Sequence, residues 1–469
     1  MTTSDNADLK LDGSDGEPLR LEELGRVGSG GGVMVSEEEN PIRKVLWLGF
    51  WVQGLRCFPW MGVNYFLKDG LKVDPSTLQV LLNSANLPMV GKPLYGVVSD
   101  AVYIGGQHRI PYLAIGVFLQ AVSWIAIAML SPASISIFNI SLFLLLSNLG
   151  ASIVEVANDA IVAETGKQPT SSSKNSQSSS SGELQSFVWM ACSLGGVLGN
   201  LLAGVATDRF SPQTMFLFFG LLLAIQFFIT ISVHESSLNL PKSPSNVGIK
   251  KQLSELSGVL RKPEIAYSIT WFAASYAIIP ALTGTMFFYQ TQYLKIDSSA
   301  LGISKVFGQV AMLLWSFIYN QRLKSVPPRK LISAIQVTMA VFMVSDVLFV
   351  EGVYRKMGVP DSVYVVIFSG LLEVLFFFKI LPFSVLIAQL CPAGCEGSLM
   401  AFLMSAIALA LIVNGYLGVA LAKFVGVTGN DFSGLPRALL IQAACTLVPL
   451  YWSSCIPDDV KPKTRRKSD

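Results

Sequence analysis

The sequence predicts an all-α membrane protein with twelve transmembrane helices arranged as two six-helix halves. Hydrophobic residues make up 52% of the 469 residues and charged residues only 14%, whereas a soluble domain carries about 25% charged residues. Apolar runs of roughly 20 residues, the length that crosses a bilayer as a helix, recur along the whole chain. These runs fall into two sets of six, with one polar and basic segment between them.

The apolar runs are the predicted spans, which we number in chain order. Spans 1 to 6 lie at 45–67, 77–99, 110–130, 135–162, 184–207 and 213–233. Spans 7 to 12 lie at 264–290, 298–321, 330–351, 361–389, 397–424 and 435–456. We therefore expect the first half at residues 43–234 and the second half at residues 263–457, with a cytoplasmic linker at 235–262.

The segments outside the spans are polar. Residues 1–42 are acidic and rich in Gly and Ser, which is typical of a disordered cytoplasmic tail. A Ser-rich cytoplasmic loop occupies 168–182, and residues 458–469 form a basic tail. Lys and Arg are concentrated in the loops on the side of both termini, so the positive-inside rule predicts that both termini are cytosolic. Because the amino terminus is acidic, unlike an organellar transit peptide, we expect a plasma-membrane or endomembrane location rather than the plastid.

A glycine, an acid and a basic residue follow one another at the end of span 2 and in the loop after it, at Gly96, Asp100 and Arg109. This order resembles the signature loop of the major facilitator superfamily, which lies on the cytoplasmic face of those transporters and latches their inward gate. The resemblance implies gate roles for Asp100 and Arg109, to which we add Asp159 and Glu164 near the cytoplasmic end of span 4. The alternative is an ordinary membrane turn with one surface ion pair.

Span 1 carries an unusual polar stripe. Gln53, Arg56, Trp60 and Asn64 are spaced three, four and four residues apart, so they share one face of a helix. A charged group in the membrane interior costs several kcal/mol, which makes each one a functional candidate. We expect Arg56 to pair with a substrate carboxylate and Trp60 to stack on a flat ring, with Asn64 beside them. The alternative is that Arg56 pairs only with a structural acid.

Span 4 carries a second stripe, formed by Asn148, Ser152, Glu155 and Asp159 at spacings of four, three and four residues. Two carboxylates one turn apart in a medium of low dielectric constant disfavour each other's charge, which favours proton uptake. We therefore predict that Glu155 carries a coupling proton and that Asp159 serves in coupling or in the gate. The alternative is that Asp159 only latches onto the basic residue of the signature loop.

Two further spans contribute polar candidates for the substrate site. In span 10, Glu373 and Lys379 are six residues apart and cannot share a helix face, so each needs a partner elsewhere. Lys379 is a candidate second cation for an anionic ligand. Asn86 and Lys92 in span 2 complete the predicted lining, although ordinary hydrogen bonding between helices is the alternative for each. Pro382 in span 10 frees a backbone carbonyl and allows a bend.

Several runs of sequence resemble the folate–biopterin transporter family, most closely its plant members, over residues 43–456. The runs are NYFLKDGLKV at 64–73, LPMVGKPLYGVVSD at 87–100, HRIPYL at 108–113, EVANDAIVAE at 155–164 and LPFSVLIAQLCPAGCEGSLMAFLMS at 381–405. The resemblance implies a major facilitator fold and transport of folates, pterins or related compounds, with protons as the coupling ion. The matching motifs give added weight to Lys92, Asp100, Arg109, Glu155, Asn158 and Asp159.

The chemistry of such a ligand is compatible with these side chains. Folate joins a flat heteroaromatic ring to a glutamate with two carboxylates. The cations available to pair with the carboxylates are Arg56, Lys92 and Lys379. The ring could stack on Trp60. We therefore predict a monomeric, proton-coupled carrier in a lipid bilayer that works by alternating access.

Other functional classes are less well supported. With only His108 and His234, both near loops, the sequence offers no catalytic constellation and no metal site, so we expect neither an enzyme nor a cofactor. A net charge of +3 is too small to indicate a nucleic-acid partner. Two alternatives stay open: a carrier of a different organic anion or amphipathic metabolite, and a non-transporting receptor or scaffold.

Overall fold

The computed structural model describes residues 41–130, 136–165, 177–235, 249–323, 325–390 and 396–457. Within these ranges the regular structure is helical, apart from one isolated bridge between Ile104 and Gln107. Residues 1–40 of the predicted amino-terminal tail, 168–176 of the Ser-rich loop and the tail at 458–469 lie outside the described residues. The prediction is wrong at two of the described edges, because one helix begins at Pro41 and another at Gln177. In the first half the helices are Pro41–Leu55, Cys57–Tyr65, Pro75–Ala85, Lys92–Ala101, Ile110–Met129, Ile137–Thr165, Gln177–Arg209 and Pro212–Ser232.

The helix Ile249–Leu260 lies between the two halves in the chain. In the second half the helices are Pro263–Ala277, Thr283–Phe288, Ser298–Ile318, Pro328–Val350, Val353–Lys356, Asp361–Tyr364, Gly370–Phe378, Ile380–Leu390, Glu396–Phe424 and Leu435–Leu447. The π-helical turns are Phe66–Gly70, Tyr289–Tyr293, Tyr319–Leu323 and Val365–Ser369, and the 3₁₀ segments are Leu87–Gly91 and Val448–Cys455.

In the described part of the chain, nine helices are long and apolar enough to cross a membrane. They correspond to spans 3 to 6 and 8 to 12. Spans 1, 2 and 7 are absent from this group because each is broken into two shorter helices. Span 1 breaks at Arg56, span 2 at the 3₁₀ turn Leu87–Gly91, and span 7 at 278–282.

Proline explains where these three helices break. Pro59 lacks the N–H that would bond the carbonyl of Leu55, and Pro280 lacks the N–H that would bond the carbonyl of Tyr276. Pro88 lies inside the break of span 2. The discontinuities are therefore encoded locally in the sequence.

A backbone carbonyl freed by proline needs another donor inside a membrane. The Tyr276 carbonyl accepts hydrogen bonds from the Ile279 N–H at 3.3 Å and from the Asn414 side-chain amide of span 11 at 3.1 Å. In span 10, Pro382 leaves the Phe378 carbonyl without its usual donor, and the indole N–H of Trp315 donates to it at 3.1 Å. Side chains of neighbouring helices thus stabilise the broken segments.

The packing of the spans repeats between the halves. In the first half span 3 contacts span 6, span 1 contacts span 5, and span 2 contacts span 4; in the second half the pairs are 9 with 12, 7 with 11, and 8 with 10. Each of these pairs is the earlier one shifted by six spans. The halves meet where span 5 packs on span 8 and span 2 packs on span 11, a pair related by the same shift. The arrangement has the two-fold character of an internal repeat.

Glycines allow the closest of these approaches. A Cβ at Gly54 would lie 2.0 Å from the Cys192 carbonyl oxygen, so spans 1 and 5 touch through their backbones. A Cβ at Gly302 would lie 2.8 Å from the Asn200 carbonyl oxygen, where spans 5 and 8 join the halves. Small residues at helix crossings are the usual route to such contacts in membranes.

We predict that Asn414→Ala lowers the free energy of unfolding by about 1 kcal/mol, because the freed Tyr276 carbonyl loses its side-chain donor. Reversible unfolding in mixed detergent micelles would measure the change. The control is Thr338→Ala, since this exposed hydroxyl bonds only the Ala334 carbonyl of its own helix. Equal losses in the two variants would contradict the role assigned to Asn414.

Candidate functional site

Two cationic side chains, from spans 1 and 2, meet at one carboxylate of span 4. Arg56 Nη1 lies 2.7 Å from Glu155 Oε1, and Lys92 Nζ lies 2.5 Å from Glu155 Oε2. Each carboxylate oxygen therefore has its own cation. The three side chains are only 13–20% exposed. We call Arg56, Lys92, Asn148 and Glu155 the Glu155 cluster.

Asn148 fixes the orientation of the arginine in this cluster. Its amide oxygen accepts a hydrogen bond from Arg56 Nη2 at 2.7 Å. Its amide nitrogen donates to the Ala85 carbonyl at 2.7 Å and to Asn86 Oδ1 at 3.2 Å. Asn148 thereby links spans 1, 2 and 4, and Asn86 joins the cluster at its edge.

The helix breaks position the two cations. Arg56 is the residue between the two helices of span 1, and Lys92 is the first residue after the 3₁₀ turn of span 2. Glu155, in contrast, lies within the unbroken helix Ile137–Thr165. A rigid helix thus presents the carboxylate, while two interrupted helices direct the cations towards it.

The charges of the Glu155 cluster do not cancel. Two cations share a single carboxylate, which leaves one excess positive charge within the ion-paired residues, while Asp159, one turn from Glu155, interacts with Lys92 without forming an ion pair. Removing one partner of a buried ion pair costs about 3–5 kcal/mol because an uncompensated charge is left behind. The arrangement is therefore stable only while an anion balances the two cations, and it retains capacity for a second anion.

The other residues predicted on spans 1 and 4 lie nearby but do not join the cluster. The Asp159 side chain is exposed and makes no ion pair with any described residue. Trp60 packs edge-on against Trp124, with ring centroids 6.2 Å apart. Asn64 donates to the Trp60 carbonyl at 3.2 Å, so its amide serves its own helix.

In the second half, Glu373 forms an ion pair that sequence reasoning missed. Its partner is Lys305 of span 8, and both carboxylate oxygens accept hydrogen bonds from the ammonium group. Lys305 stands alone as a charged residue in an apolar span, the same signal that identified Arg56, so it could have been found from the sequence.

Lys379 lies apart from both ion pairs. It is fully buried within the second half, where Nζ donates to Gln336 Oε1 at 2.8 Å and to Ser275 Oγ at 3.3 Å. Its ammonium also lies 4.0 Å from the centre of the Tyr276 ring. The structure therefore does not bring Lys379 to the Glu155 cluster.

Three of the four predicted gate residues come together at the signature loop. Arg109 Nη2 lies 2.6 Å from Asp100 Oδ1 and 2.5 Å from Glu164 Oε1, and Nη1 donates to Ser99 Oγ at 2.7 Å. The fourth, Asp159, is not among the partners of this guanidinium. Arg109 is 4% exposed, so its acids compensate a buried charge.

Glu235, which follows span 6, is a second residue that sequence reasoning missed. Its Oε2 accepts backbone N–H groups from His108 at 2.7 Å and Arg109 at 2.9 Å, at the start of the helix Ile110–Met129. A carboxylate at a helix N-terminus is favoured by the helix dipole. Burial, together with the nearby Arg109 charge, lowers the pKa of His108, which keeps this imidazole neutral beside the gate.

Comparison with known proteins identifies the relatives of this chain. The profile of the BT1 family matches residues 53–468. The chain is 65% identical over 429 residues to probable folate-biopterin transporter 7 of Arabidopsis thaliana, covering 91% of this chain and 96% of that protein. It is 41% identical over 451 residues to probable folate-biopterin transporter 9, chloroplastic, of the same organism, covering 94% of this chain and 80% of that protein. These similarities confirm the predicted resemblance to the folate–biopterin transporters.

Solved structures identify the fold. The inward-open xylose transporter XylE from E. coli matches with a TM-score of 0.63 at 16% identity, covering 90% of this chain and 97% of that one. This likeness confirms the predicted major facilitator fold. Together with the long apolar helices, it identifies an integral multi-pass membrane protein.

We predict that Glu155→Gln lowers the free energy of unfolding by about 3 kcal/mol, because Arg56 and Lys92 lose their shared counter-charge. The matched control is Asp159→Asn, one helical turn away, which removes an acid without breaking a described ion pair and should change stability by less than about 0.5 kcal/mol. Unfolding in mixed micelles would compare them. If both variants lost the same stability, the pairing would not be the cause.

Proposed function

The chain belongs to the BT1 family, and from that premise we propose that it carries folates, pterins or related compounds across a membrane by alternating access. The names of its relatives supply the substrate class. The observation that carries the proposal is the excess positive charge of the Glu155 cluster, formed by spans from one half of a two-half bundle.

The Glu155 cluster suits an anionic substrate because its cations can exchange partners. A substrate carboxylate offers Arg56 and Lys92 the same chemistry that Glu155 offers them in this structure. Arg56 favours bidentate contact with a carboxylate, whereas Lys92 acts as a compact point charge. The two carboxylates of a glutamate group would match the two cations.

Protonation of Glu155 couples this exchange of ion-pair partners to the binding of a proton. A neutral Glu155 no longer compensates the two cations, so their attraction for the substrate carboxylates increases. Proton and substrate then bind together, which is the requirement for symport. Asp159, one turn away and exposed, is the alternative proton acceptor in the same helix.

Alternating access requires contacts between the halves that can break. Gln79 of span 2 donates to the Ala281 and Gly415 carbonyls at 2.6 and 2.7 Å and accepts from the Gly284 N–H at 2.9 Å. These bonds satisfy backbone groups beside the break in span 7 and one carbonyl of span 11. They hold the halves together at the end remote from the signature loop, and the Arg109 gate acts at the loop end. The outward-facing and inward-facing states differ in which of these two sets of contacts is formed, so the contacts determine the relative stability of the two states.

The proposal also covers the topology, the oligomeric state and the membrane in which the protein lies. We place both termini in the cytosol, in accord with the basic loops on their side of the membrane. We expect a monomer in a plasma membrane or endomembrane, although two of the relatives are named as chloroplastic.

The decisive measurement is uptake of labelled folate and labelled pterin by purified protein in liposomes, with and without an imposed proton gradient. We expect accumulation that increases when the outside is made acidic. We expect Glu155→Gln to keep substrate exchange across liposomes at equal pH but to lose the response to the gradient, because a permanently neutral side chain cannot cycle a proton.

Asp159→Asn is the matched comparison for this uptake. If Asp159→Asn lost the pH response while Glu155→Gln kept it, the proton site would be Asp159. Uptake of another organic anion in place of folate and pterin would overturn the substrate class but leave the carrier. Absence of any uptake would favour a receptor or scaffold.

A further inference from the structure

Lys305 and Glu373 form an ion pair between two of the described spans, and the proposed mechanism does not use it. Lys305 lies on span 8 and Glu373 on span 10, and their side chains are 44% and 47% exposed. Neither group is therefore sealed in the core of the second half. A charged pair with this accessibility must face either lipid or the space between the halves.

The neighbours on span 8 show which side the pair faces. Gly302, three residues before Lys305, packs against the Asn200 carbonyl of span 5. Gln309, four residues after Lys305, lies 3.5 Å from the position of a Cβ at Gly196 of the same span. Residues three and four apart share a helix face, so Lys305 is directed towards the first half and not towards lipid.

The same part of span 5 also borders the Glu155 cluster. The Cys57 thiol, next to Arg56 in the chain, donates to the Gly196 carbonyl at 3.5 Å. Gln309 of span 8 approaches the same glycine from the second half. The two charged features therefore lie at a similar depth, one in each half, on either side of the space where an alternating-access substrate would bind.

We propose that the Lys305–Glu373 pair is a recognition site for the pyrimidine edge of a pterin ring, an inference that rests on the proposed function. The 2-amino group and the N3–H of a pterin are adjacent donors, which suit the two oxygens of one carboxylate. The O4 atom next to them is an acceptor, which suits an ammonium group. The Glu373 carboxylate accepts hydrogen bonds from the 2-amino group and the N3–H. The Lys305 ammonium leaves the carboxylate and donates to O4.

Charge decides which end of the substrate each half receives. The Lys305–Glu373 pair is neutral overall, so it matches a neutral and strongly dipolar ring. A glutamate group placed there would face the like charge of Glu373. The Glu155 cluster, with its excess positive charge, suits the carboxylates instead. A folate would therefore bridge the halves with its ring on the second half and its acid end on the first.

The test uses three unlabelled competitors against uptake of labelled folate in liposomes. Pterin presents the ring edge alone, p-aminobenzoylglutamate presents the acid end alone, and lumazine replaces the 2-amino donor of pterin by a carbonyl acceptor. For the unmodified protein we expect pterin to compete about 10-fold or more better than lumazine, because a polar site rejects an analogue that leaves its groups unpaired. Glu373→Gln should abolish this preference, since an amide can also donate, and leave competition by p-aminobenzoylglutamate within about two-fold.

The exchanged pair Lys305→Glu with Glu373→Lys separates recognition from structural support. The exchanged variant keeps an ion pair between spans 8 and 10, so its thermal stability should equal that of the unmodified protein. Because the positions of the donor and the acceptor are reversed, we expect it to lack the preference for pterin over lumazine, as Glu373→Gln does. Recovery of the preference in the exchanged variant, or an unchanged preference in Glu373→Gln, would overturn this site while folate uptake still supported the carrier. Absence of uptake of both folate and pterin by the unmodified protein would overturn the proposed function and this site with it.

Discussion

One carboxylate that balances two cations is the interaction on which the membrane interior of this protein depends. Glu155 holds Arg56 and Lys92 at 2.7 and 2.5 Å, in a setting where an uncompensated charge would cost several kcal/mol. Because these residues come from spans 4, 1 and 2, their pairing also fixes how the three spans pack. The same pairing leaves one positive charge in excess. Stability and the attraction that we propose for the substrate therefore have a common origin in the first half.

Interrupted helices make this arrangement possible. The regular helices of spans 1 and 2 are interrupted next to the residues that carry charge, at Arg56 and just before Lys92. Each break exposes backbone groups that the membrane cannot solvate. Neighbouring side chains bond these groups, as Asn414 does for Tyr276 and as Gln79 does from the opposite half. Contacts that repair a broken helix across the two halves are also contacts that a transport cycle must release.

The two halves share a packing plan but differ in chemistry. Equivalent span pairs recur after a shift of six, yet the first half carries a net positive cluster and the second half a neutral ion pair. Lys379 adds a further cation to the second half, but it is enclosed by Gln336, Ser275 and Tyr276 and serves the interior of that half. A ligand with one anionic end and one neutral ring is the kind of molecule that such an asymmetric pair of surfaces would orient.

The sequence by itself determined the membrane class, the positions of the spans, the signature loop and the faces that carry Arg56 and Glu155, because hydrophobicity and helical periodicity are local properties. It also contained the prolines that break spans 1, 2 and 7. Only the tertiary structure decided the partners: Arg56 meets a carboxylate 99 residues away, Glu373 meets Lys305, and Lys379 meets no described acid. Pairing across helices depends on which segments pack together, and periodicity along one helix carries no information about that choice.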